Sequence, residues 1–223
     1  MLRRGHPGWR HARAPPRLCP GALVSAVLTV TLPREFYLRP TRAVARDLLG
    51  CILVSTHGGA ITAGRIVETE AYLGPEDPAS HAATRPVAAR RLFYGEGGHA
   101  YVFRIYGLHQ CLNAITGRAG RPGCVLIRAL EPVAGARVMA RRRGVAVDSV
   151  SLTNGPGKLA EALGITLRDN GVDLTRGPLE IGPPDAPREF SVGVGPRVGI
   201  TRATALPLRF WIYRNRFVSR RER

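Results

Sequence analysis

Short runs of alternating or periodic apolar residues, separated by glycine and proline, divide this chain into predicted helices and strands. Between Thr41 and Gly50 the apolar residues repeat with helical spacing, which predicts a helix over residues 42–49 that Thr41 caps and Gly50 ends. Two β-prone runs follow at residues 51–56 and 61–73, and the glycine-rich turn between them predicts that the second strand returns beside the first. The chain therefore opens its body with a helix and an antiparallel pair of strands.

The same kind of pattern continues beyond this pair. Two β-prone runs flank Gly107 and predict a hairpin with Tyr106 at or beside its tip. An apolar run predicts a strand over residues 123–130, and helices are predicted over residues 132–143 and from the glycine-rich segment 154–158 through Leu163. Short strands joined by Gly/Pro loops complete the chain. We therefore predict an α/β fold (α+β type) with a mostly antiparallel, curved sheet and surrounding helices.

These elements fit one domain, which we expect to span residues 31–219. Residues 1–30 are predicted to be a disordered or mis-assigned N-terminal extension, because residues 1–20 are rich in Arg, Pro, Gly and His and have no hydrophobic period. The apolar run over residues 21–32 is too short to span a bilayer, and no other stretch reaches that length. Residues 220–223 form a basic C-terminal tail, and we expect no membrane association.

The charge of the chain indicates a polyanionic partner. The formal net charge is +17. Five arginines without an acid in residues 1–30, and five arginines against Glu222 in residues 214–223, leave +8 for the rest of the chain. Lys158 is the only lysine. Arginine favours bidentate contact with phosphate, although a coding bias toward arginine gives the same composition. A body this basic attracts nucleic acid, the commonest polyanion.

The cysteines bear on the metal and redox chemistry of the chain. They are Cys19, Cys51, Cys111 and Cys124, and no two of them form a Cys-x-x-Cys pair. This wide spacing argues against a structural zinc site and against a disulfide framework, and it fits a reducing cytosol. We therefore expect a cytoplasmic protein that requires no metal.

Two carboxylates on one predicted strand are the first candidates for chemistry. Side chains alternate along a strand, so Glu68, Glu70 and Tyr72 share one face, and burying them is costly unless something there uses them. A turn-rich connection follows and could bring the imidazole of His81 beside the carboxylates. The alternative is a solvated edge strand with scattered acids. Arg128 lies in an apolar strand, where a buried guanidinium needs a carboxylate or phosphate partner.

Four basic residues are candidates for contact with a nucleic-acid backbone. Arg85 and Arg90 lie in a segment without hydrophobic period that we interpret as a basic surface loop. Arg141 begins a run of three arginines at a helix end, where a solvated face favoured by the helix dipole explains the run as well as phosphate binding does. Lys158 follows a glycine-rich helix start that lacks the features of a nucleotide-binding P-loop but suits one backbone phosphate.

Several of these segments together resemble the alkyladenine (3-methyladenine) DNA glycosylase family, bacterial type. The resemblance is carried by residues 66–77 with His81, residues 101–113, residues 124–132 and residues 155–159. The first of these segments resembles the active-site strand of that family, and the second resembles its DNA-inserting hairpin. The likeness runs in order from about Leu32 to Ser219.

The resemblance implies a monofunctional DNA glycosylase. Such an enzyme flips damaged purines (3-methyladenine and related alkylated bases, with hypoxanthine or ethenoadenine as further candidates) from duplex DNA. It then hydrolyses the N-glycosidic bond and so starts base excision repair. Glu70 would activate the attacking water, and Arg128 would help to hold that water and the carboxylate. No cofactor is implied, and the expected partner is double-stranded DNA that contains damaged purines.

The resemblance also implies roles for five residues around the base. Tyr72, His81 and Phe103 would form the base pocket, and Tyr106 would fill the gap that the flipped nucleotide leaves in the duplex. Asn113 would stand where the amino group of guanine collides. Contacts to the DNA backbone would come from the basic residues named above. We expect a monomer that associates with the nucleoid through DNA.

Two departures from the family pattern concern affinity and substrate range. The loop between His81 and Phe93 is shorter than usual, and Arg85-Pro86 stands where a Thr-Pro-Arg-like phosphate-contacting segment is expected. Phe103 replaces a pocket tyrosine. Two other functions stay open. A non-catalytic nucleic-acid-binding module explains the charge and the hairpin, whereas a carbohydrate hydrolase explains Glu68 and Glu70 but neither the charge nor an aromatic hairpin tip.

Overall fold

The computed structural model describes residues 30–85 and 91–219 of the chain. Nearly all of the predicted N-terminal extension, Arg90 and the basic tail over residues 220–223 lie outside the described residues, so the expectations for them stay predictions. In the described part, no helix has the length and apolar character needed to cross a membrane.

Within these residues the chain forms short helices around one sheet. The helices are α1 (Arg34–Tyr37), α2 (Thr41–Asp47), α3 (His81–Thr84), α4 (Ala136–Arg143) and α5 (Pro156–Leu163). The strands are β1 (Ile52–Ser55), β2 (Thr62–Tyr72), β3 (Ala100–Ile105), β4 (His109–Thr116), β5 (Gly123–Ala134), β6 (Leu179–Gly182), β7 (Val192–Gly195) and β8 (Arg209–Ile212). Single 3-10 turns lie at His57–Gly59, Val150–Leu152 and Leu167–Asp169.

All strand pairs of the sheet are antiparallel, and β2 lies at its centre. The strand order is β3-β4-β5-β2-β1-β6, and β8 also pairs with β2 and carries β7 on its other edge. One edge of β2 is therefore shared, because β1 pairs with residues 62–65 and β8 pairs with residues 68–70. The sheet is curled. The prediction of a single-domain α+β fold with a mostly antiparallel, curved sheet is confirmed.

The helices bury their apolar faces against this sheet. Val44 of α2, Leu48 directly after it, and Leu159 and Leu163 of α5 are fully buried in the main core. Each such side chain stabilises the fold by about 1.5–3 kcal/mol relative to an exposed one. The predicted apolar stripe before Gly50 is therefore confirmed, but the helix ends at Asp47, two residues earlier than predicted, and Gly50 adopts a left-handed conformation in the turn that follows.

Two other details of the predicted helices are wrong. Thr41 does not cap α2, because Pro40 precedes the helix and the Thr41 hydroxyl pairs with the Thr116 hydroxyl, 2.8 Å away. The helix predicted over residues 132–143 begins only at Ala136, and Pro132 still belongs to β5. Proline is tolerated there because β4 pairs with β5 only over residues 123–126, so Pro132 needs no hydrogen bond on that edge.

Candidate active site

A cavity of about 980 Å³ opens between the β3–β4 hairpin, the N-terminal end of α5 and the segment that follows β7. Many residues of the predicted site line it, although Glu70 does not. The lining residues include Tyr72, His81, Tyr101, Phe103, Tyr106, Asn113, Arg128, Lys158 and Val198. The sequence-predicted residues that line the cavity thus come from β2, β3, β4, β5 and two helices.

Glu70 lies fully buried on β2, directly behind this wall. The Tyr72 hydroxyl donates to its Oε2 at 3.0 Å, the Val198 backbone N–H donates to its Oε1 at 2.7 Å, and Arg128 Nη1 lies 3.4 Å from Oε1. All three of these partners line the cavity. Burial raises the pKa of Glu70, and the positive charge of Arg128 offsets this only in part. A buried carboxylate whose pKa is raised is suited to accept a proton.

A β-bulge aims Arg128 at both carboxylates of β2. Across the β2–β5 pair, Glu68 stands opposite Ala129 and Thr69 opposite Ile127, which leaves Arg128 as the extra residue. Its guanidinium contacts Glu68 through Nε at 3.2 Å and Glu70 through Nη1 at 3.4 Å. The buried arginine therefore has the carboxylate partners that its sequence position required.

Glu68 has a different environment from Glu70. Its Oε1 accepts from Arg209 Nε at 2.7 Å and from Arg128 Nε at 3.2 Å, and its Oε2 accepts from the Ser219 backbone N–H at 2.7 Å. Glu68 does not line the cavity. The alternative of a solvated edge strand is wrong, because both glutamates are fully buried on a strand with partners on both sides.

The ring of Tyr72 packs against an ion pair that the sequence did not predict. The guanidinium of Arg197 lies 4.6 Å from the centre of the Tyr72 ring. It also forms a bidentate pair with Asp77, with nitrogen–oxygen distances of 2.5 and 2.9 Å, and both side chains are almost fully buried. Burial works to raise the pKa of Asp77, but hydrogen bonds from Arg197 and the Leu73 backbone hold it below its ordinary value. The pair joins the segment after β7 to the segment after β2.

His81 lies in an aromatic wall of the cavity. Its Nδ1 is 2.9 Å from the Tyr101 hydroxyl, and its ring meets that of Phe103 edge-on, with centres 4.4 Å apart. Burial, followed by the charge of Arg85, lowers the pKa of His81 to about 4. The ring is therefore neutral at pH 7, with one donor and one acceptor nitrogen. Among the described residues it contacts these rings and not Glu70, so the structure does not pair the imidazole with the carboxylates.

Tyr101 is a cavity residue that sequence reasoning left in the core. Its ring stacks on Phe103 at 5.4 Å, and both residues line the cavity. The alternation of side chains along β3 predicts this position, because residues 101 and 103 of one strand lie on the same face. Asn113, on the neighbouring strand, is buried at the cavity wall and donates from Nδ2 to the Tyr101 carbonyl at 3.1 Å.

The tip of the β3–β4 hairpin presents Tyr106 to solvent. Tyr106 and Gly107 both have positive φ angles, of 52° and 69°, and the Leu108 N–H closes the turn onto the Ile105 carbonyl at 3.2 Å. Tyr106 is 81% exposed and Leu108 is 75% exposed. The predicted hairpin tip is therefore confirmed, and Tyr106 is not a core residue.

The predicted basic contacts differ in where they lie. Lys158 lines the cavity and donates to Asn154 Oδ1 at 2.8 Å. Arg141 and Arg85 are exposed outside the cavity lining, whereas Arg143, not predicted, belongs to that lining. Arg202 is also an exposed lining residue that sequence reasoning missed, because nothing in a Gly/Pro loop indicates what it faces.

Comparison with known proteins bears on these observations. The family model for methylpurine-DNA glycosylase (MPG) matches residues 35–216. A protein of Methanoculleus marisnigri, named provisionally as a 3-methyladenine DNA glycosylase, is 51% identical over 195 residues that cover 86% of this chain and all of the relative. Proteins of the same provisional name from Carboxydothermus hydrogenoformans and Bacillus licheniformis are each 44% identical, covering 85% of this chain and 99% and 96% of the relatives. This chain belongs to the methylpurine-DNA glycosylase family.

Proposed function

We propose that this protein is a monofunctional DNA glycosylase that removes 3-methyladenine and related alkylated purines from duplex DNA. One observation carries the proposal. Glu70, a buried carboxylate of raised pKa, stands behind a cavity walled by Tyr72, His81 and Phe103 and flanked by the exposed ring of Tyr106. Family membership and the names of the relatives support the same reaction.

Base flipping explains why these parts lie together. A base inside a duplex cannot be attacked at its sugar carbon, so the nucleotide must leave the stack, at a cost of a few kcal/mol. An aromatic side chain at the site of extrusion offsets part of that cost, and Tyr106 is placed to do so. Stacking of the extruded base on the rings of Tyr72 and Phe103 contributes roughly 1–3 kcal/mol more.

Hydrolysis then requires one base and one fixed positive charge. Glu70 accepts a proton from water as the water oxygen bonds to the sugar C1′ carbon and the C1′–N bond breaks. The bonding electrons leave with the base, and an alkylated purine departs readily because it is already cationic. The ionised carboxylate also stabilises the oxocarbenium-like transition state. Arg128, 3.4 Å from Glu70, favours the ionised form and helps to hold the water.

The pocket residues set which bases enter. Asn113 is fixed by its hydrogen bond to the Tyr101 carbonyl, so its amide cannot swing away from an amino group on guanine. Phe103 keeps the aromatic surface and lacks a hydroxyl, which favours recognition by stacking over hydrogen bonding. We infer that alkylated purines are the main substrates, with hypoxanthine and ethenoadenine as secondary ones. We also propose that the protein acts as a monomer.

The two other functions fit the site less well. A carbohydrate hydrolase of the usual kind needs two carboxylates that flank the scissile bond, but Glu68 is occupied by Arg128 and Arg209 and does not face the cavity. A non-catalytic binding module does not explain why a buried carboxylate with a raised pKa lies behind the cavity. Incubation with duplexes that carry single damaged bases tests the choice. Released base and abasic sites support the glycosylase, and tight binding without release supports the binding module.

Substitution of Tyr106 tests base flipping. Tyr106→Ala should weaken capture of a lesion in duplex DNA by roughly 5- to 150-fold, equivalent to the loss of one stacked ring. Capture in single-stranded DNA should change much less, because no stack has to be opened. Fluorescence of a 2-aminopurine beside the lesion reports the unstacking. Because Tyr106 is 81% exposed, the melting temperature should not change.

Tyr213→Ala provides the matched control for Tyr106. Tyr213 is also an exposed tyrosine, 53% accessible, but it does not line the cavity. We expect this variant to capture duplex lesions as the wild type does. Equal losses in duplex and single-stranded DNA for Tyr106→Ala would contradict insertion into the stack.

Salt dependence tests the contact with the DNA backbone. The logarithm of the affinity should fall linearly with the logarithm of the salt concentration, and undamaged duplex should show a similar slope, because this contribution carries no sequence information. Arg141→Ala should reduce the slope by about 1 if Arg141 contacts a phosphate. Deleting residues 1–30 should lower affinity modestly and leave turnover of bound lesions unchanged. A truncated protein that fails to excise at saturating DNA would assign these residues a direct part in the reaction.

A further inference from the structure

Ser219 forms hydrogen bonds to Glu68 on the central strand β2. Its backbone N–H donates to Glu68 Oε2 at 2.7 Å, and its hydroxyl donates to Glu68 Oε1 at 3.0 Å. The same hydroxyl oxygen accepts from Arg128 Nη2 at 3.2 Å. Ser219 lies beyond residues 35–216, which the family model matches, and it does not line the cavity.

These bonds complete the fixation of Arg128. Its Nε donates to Glu68, its Nη2 to Ser219, and its Nη1 points to the Val198 carbonyl at 3.5 Å and to Glu70 at 3.4 Å. Each nitrogen of the guanidinium therefore has its own partner. Arginine is a planar fork, so fixing two of its nitrogens determines where the third one points. The third nitrogen is the one that faces Glu70.

The segment that carries Ser219 is itself anchored. Phe217 and Val218 are buried, and Phe217 packs into the main core. Arg209, the second arginine on Glu68, stacks on the Trp211 ring with its guanidinium 4.7 Å from the ring centre. Glu68 is thus held from two sides and offers a rigid acceptor to Arg128.

We propose that Ser219 is a positioning residue for the glycosylase reaction, which holds the Arg128 guanidinium against Glu70 from the side remote from the cavity. This rests on the proposed role of Glu70 as the base. The hydroxyl never meets the substrate, since it acts by restricting where Arg128 sits. Without it, Nη2 has no acceptor among the residues that the structure describes, and the guanidinium can move away from Glu70.

The test is the rate of a single turnover on a duplex with one 3-methyladenine, measured with excess enzyme across the pH range. Ser219→Ala should lower the rate by about tenfold, a size typical of a displaced positioning contact. The acid limb of the pH profile should move to higher pH, because Glu70 loses part of the positive charge that lowers its pKa. Ser219→Thr, which keeps the hydroxyl, should restore both.

Other groups around Glu70 stay constant in this comparison. They are Tyr72 and Glu68 on β2, Cys111 on β4, Arg209 on β8 and the Val198 N–H. Ser149→Ala is the matched control, because the Ser149 hydroxyl also accepts a hydrogen bond, but from the Ser151 backbone N–H and not from Arg128. It should leave the rate and the pH profile unchanged.

The outcomes separate this proposal from the proposed function. An unchanged rate and pH profile for Ser219→Ala would overturn the positioning role. A loss of rate that follows a lower melting temperature, with no shift of the acid limb and no rescue by threonine, would also overturn it. If Glu70→Gln still excises the base, the role of Glu70 fails, whatever Ser219 does. If Glu70→Gln is inactive and Ser219→Ala is normal, only the positioning role fails.

Discussion

Glu70→Gln should lower the rate of base excision by roughly 10²–10⁴-fold, the usual loss when a general base is removed. Glutamine keeps the shape of the side chain: its oxygen can still accept from the Val198 N–H, and its amide N–H can donate to the Tyr72 hydroxyl oxygen, but it cannot take a proton from water. Binding to damaged duplex should survive. The measurement is single-turnover release of 3-methyladenine beside a binding assay on the same preparation.

The pH profile of the wild type gives a second check on this role. Burial raises the pKa of Glu70, and a general base works only when it is ionised. The excision rate should therefore rise with pH through a midpoint above the ordinary value of a glutamate, which is about 4.3. Glu68→Gln is the comparison variant. We expect it to act mainly through stability, because Glu68 neutralises Arg128 and Arg209 in the core. Near-normal excision by Glu70→Gln would contradict the assignment.

Arg197→Ala should destabilise the fold by about 3–5 kcal/mol, because it leaves the Asp77 carboxylate buried without its partner. For a chain of this size the melting temperature should fall by roughly 6–20 °C. The variant also removes the cation behind Tyr72 and loosens the segment that carries Val198. Thermal unfolding followed by circular dichroism measures the loss.

Arg202→Ala is the matched control for this prediction, because Arg202 lies on the same segment but is exposed. Its melting temperature should stay near that of the wild type. The loss of stability caused by Arg197→Ala should also depend on pH. The pKa of Asp77 lies below its ordinary value, so the stability of the pair is present above about pH 3.9 and is lost as pH falls through the lower folded value. The two proteins should therefore converge in acid, and a constant difference would contradict the pairing.

Local signals explain what the sequence predicted well. The hairpin tip can be predicted from Gly107 alone, because glycine adopts the left-handed conformation of a tight turn without steric cost. The shared face of Glu70 and Tyr72 follows from the alternation of a strand, and the structure joins them at 3.0 Å. The need of Arg128 for a carboxylate follows from its apolar surroundings. The roles of these residues in a reaction came from the family resemblance, not from the residue pattern.

Contacts between distant segments explain what the sequence did not predict. Arg197 pairs with Asp77 across 120 residues, and a single sequence holds no signal that joins them. The bulge at Arg128 depends on the register of two long strands, which apolar patterns do not define to one residue. The late start of α4 was missed because Pro132 reads as a helix start, whereas tertiary pairing with β2 keeps it extended.

The residues that complete the site are also synthesised after the other residues of the site. Val198 meets Glu70 across 128 residues, and Ser219 meets Glu68 across 151 residues. The ribosome delivers Glu70 long before it delivers these partners, and pairings of such long separation form late in folding. A nascent chain therefore exposes its arginines and the tyrosine of its hairpin before Glu70 gains the Val198 N–H. If Glu70 acts as proposed, we expect a chain that lacks Val198 and Ser219 to bind DNA without breaking a glycosidic bond.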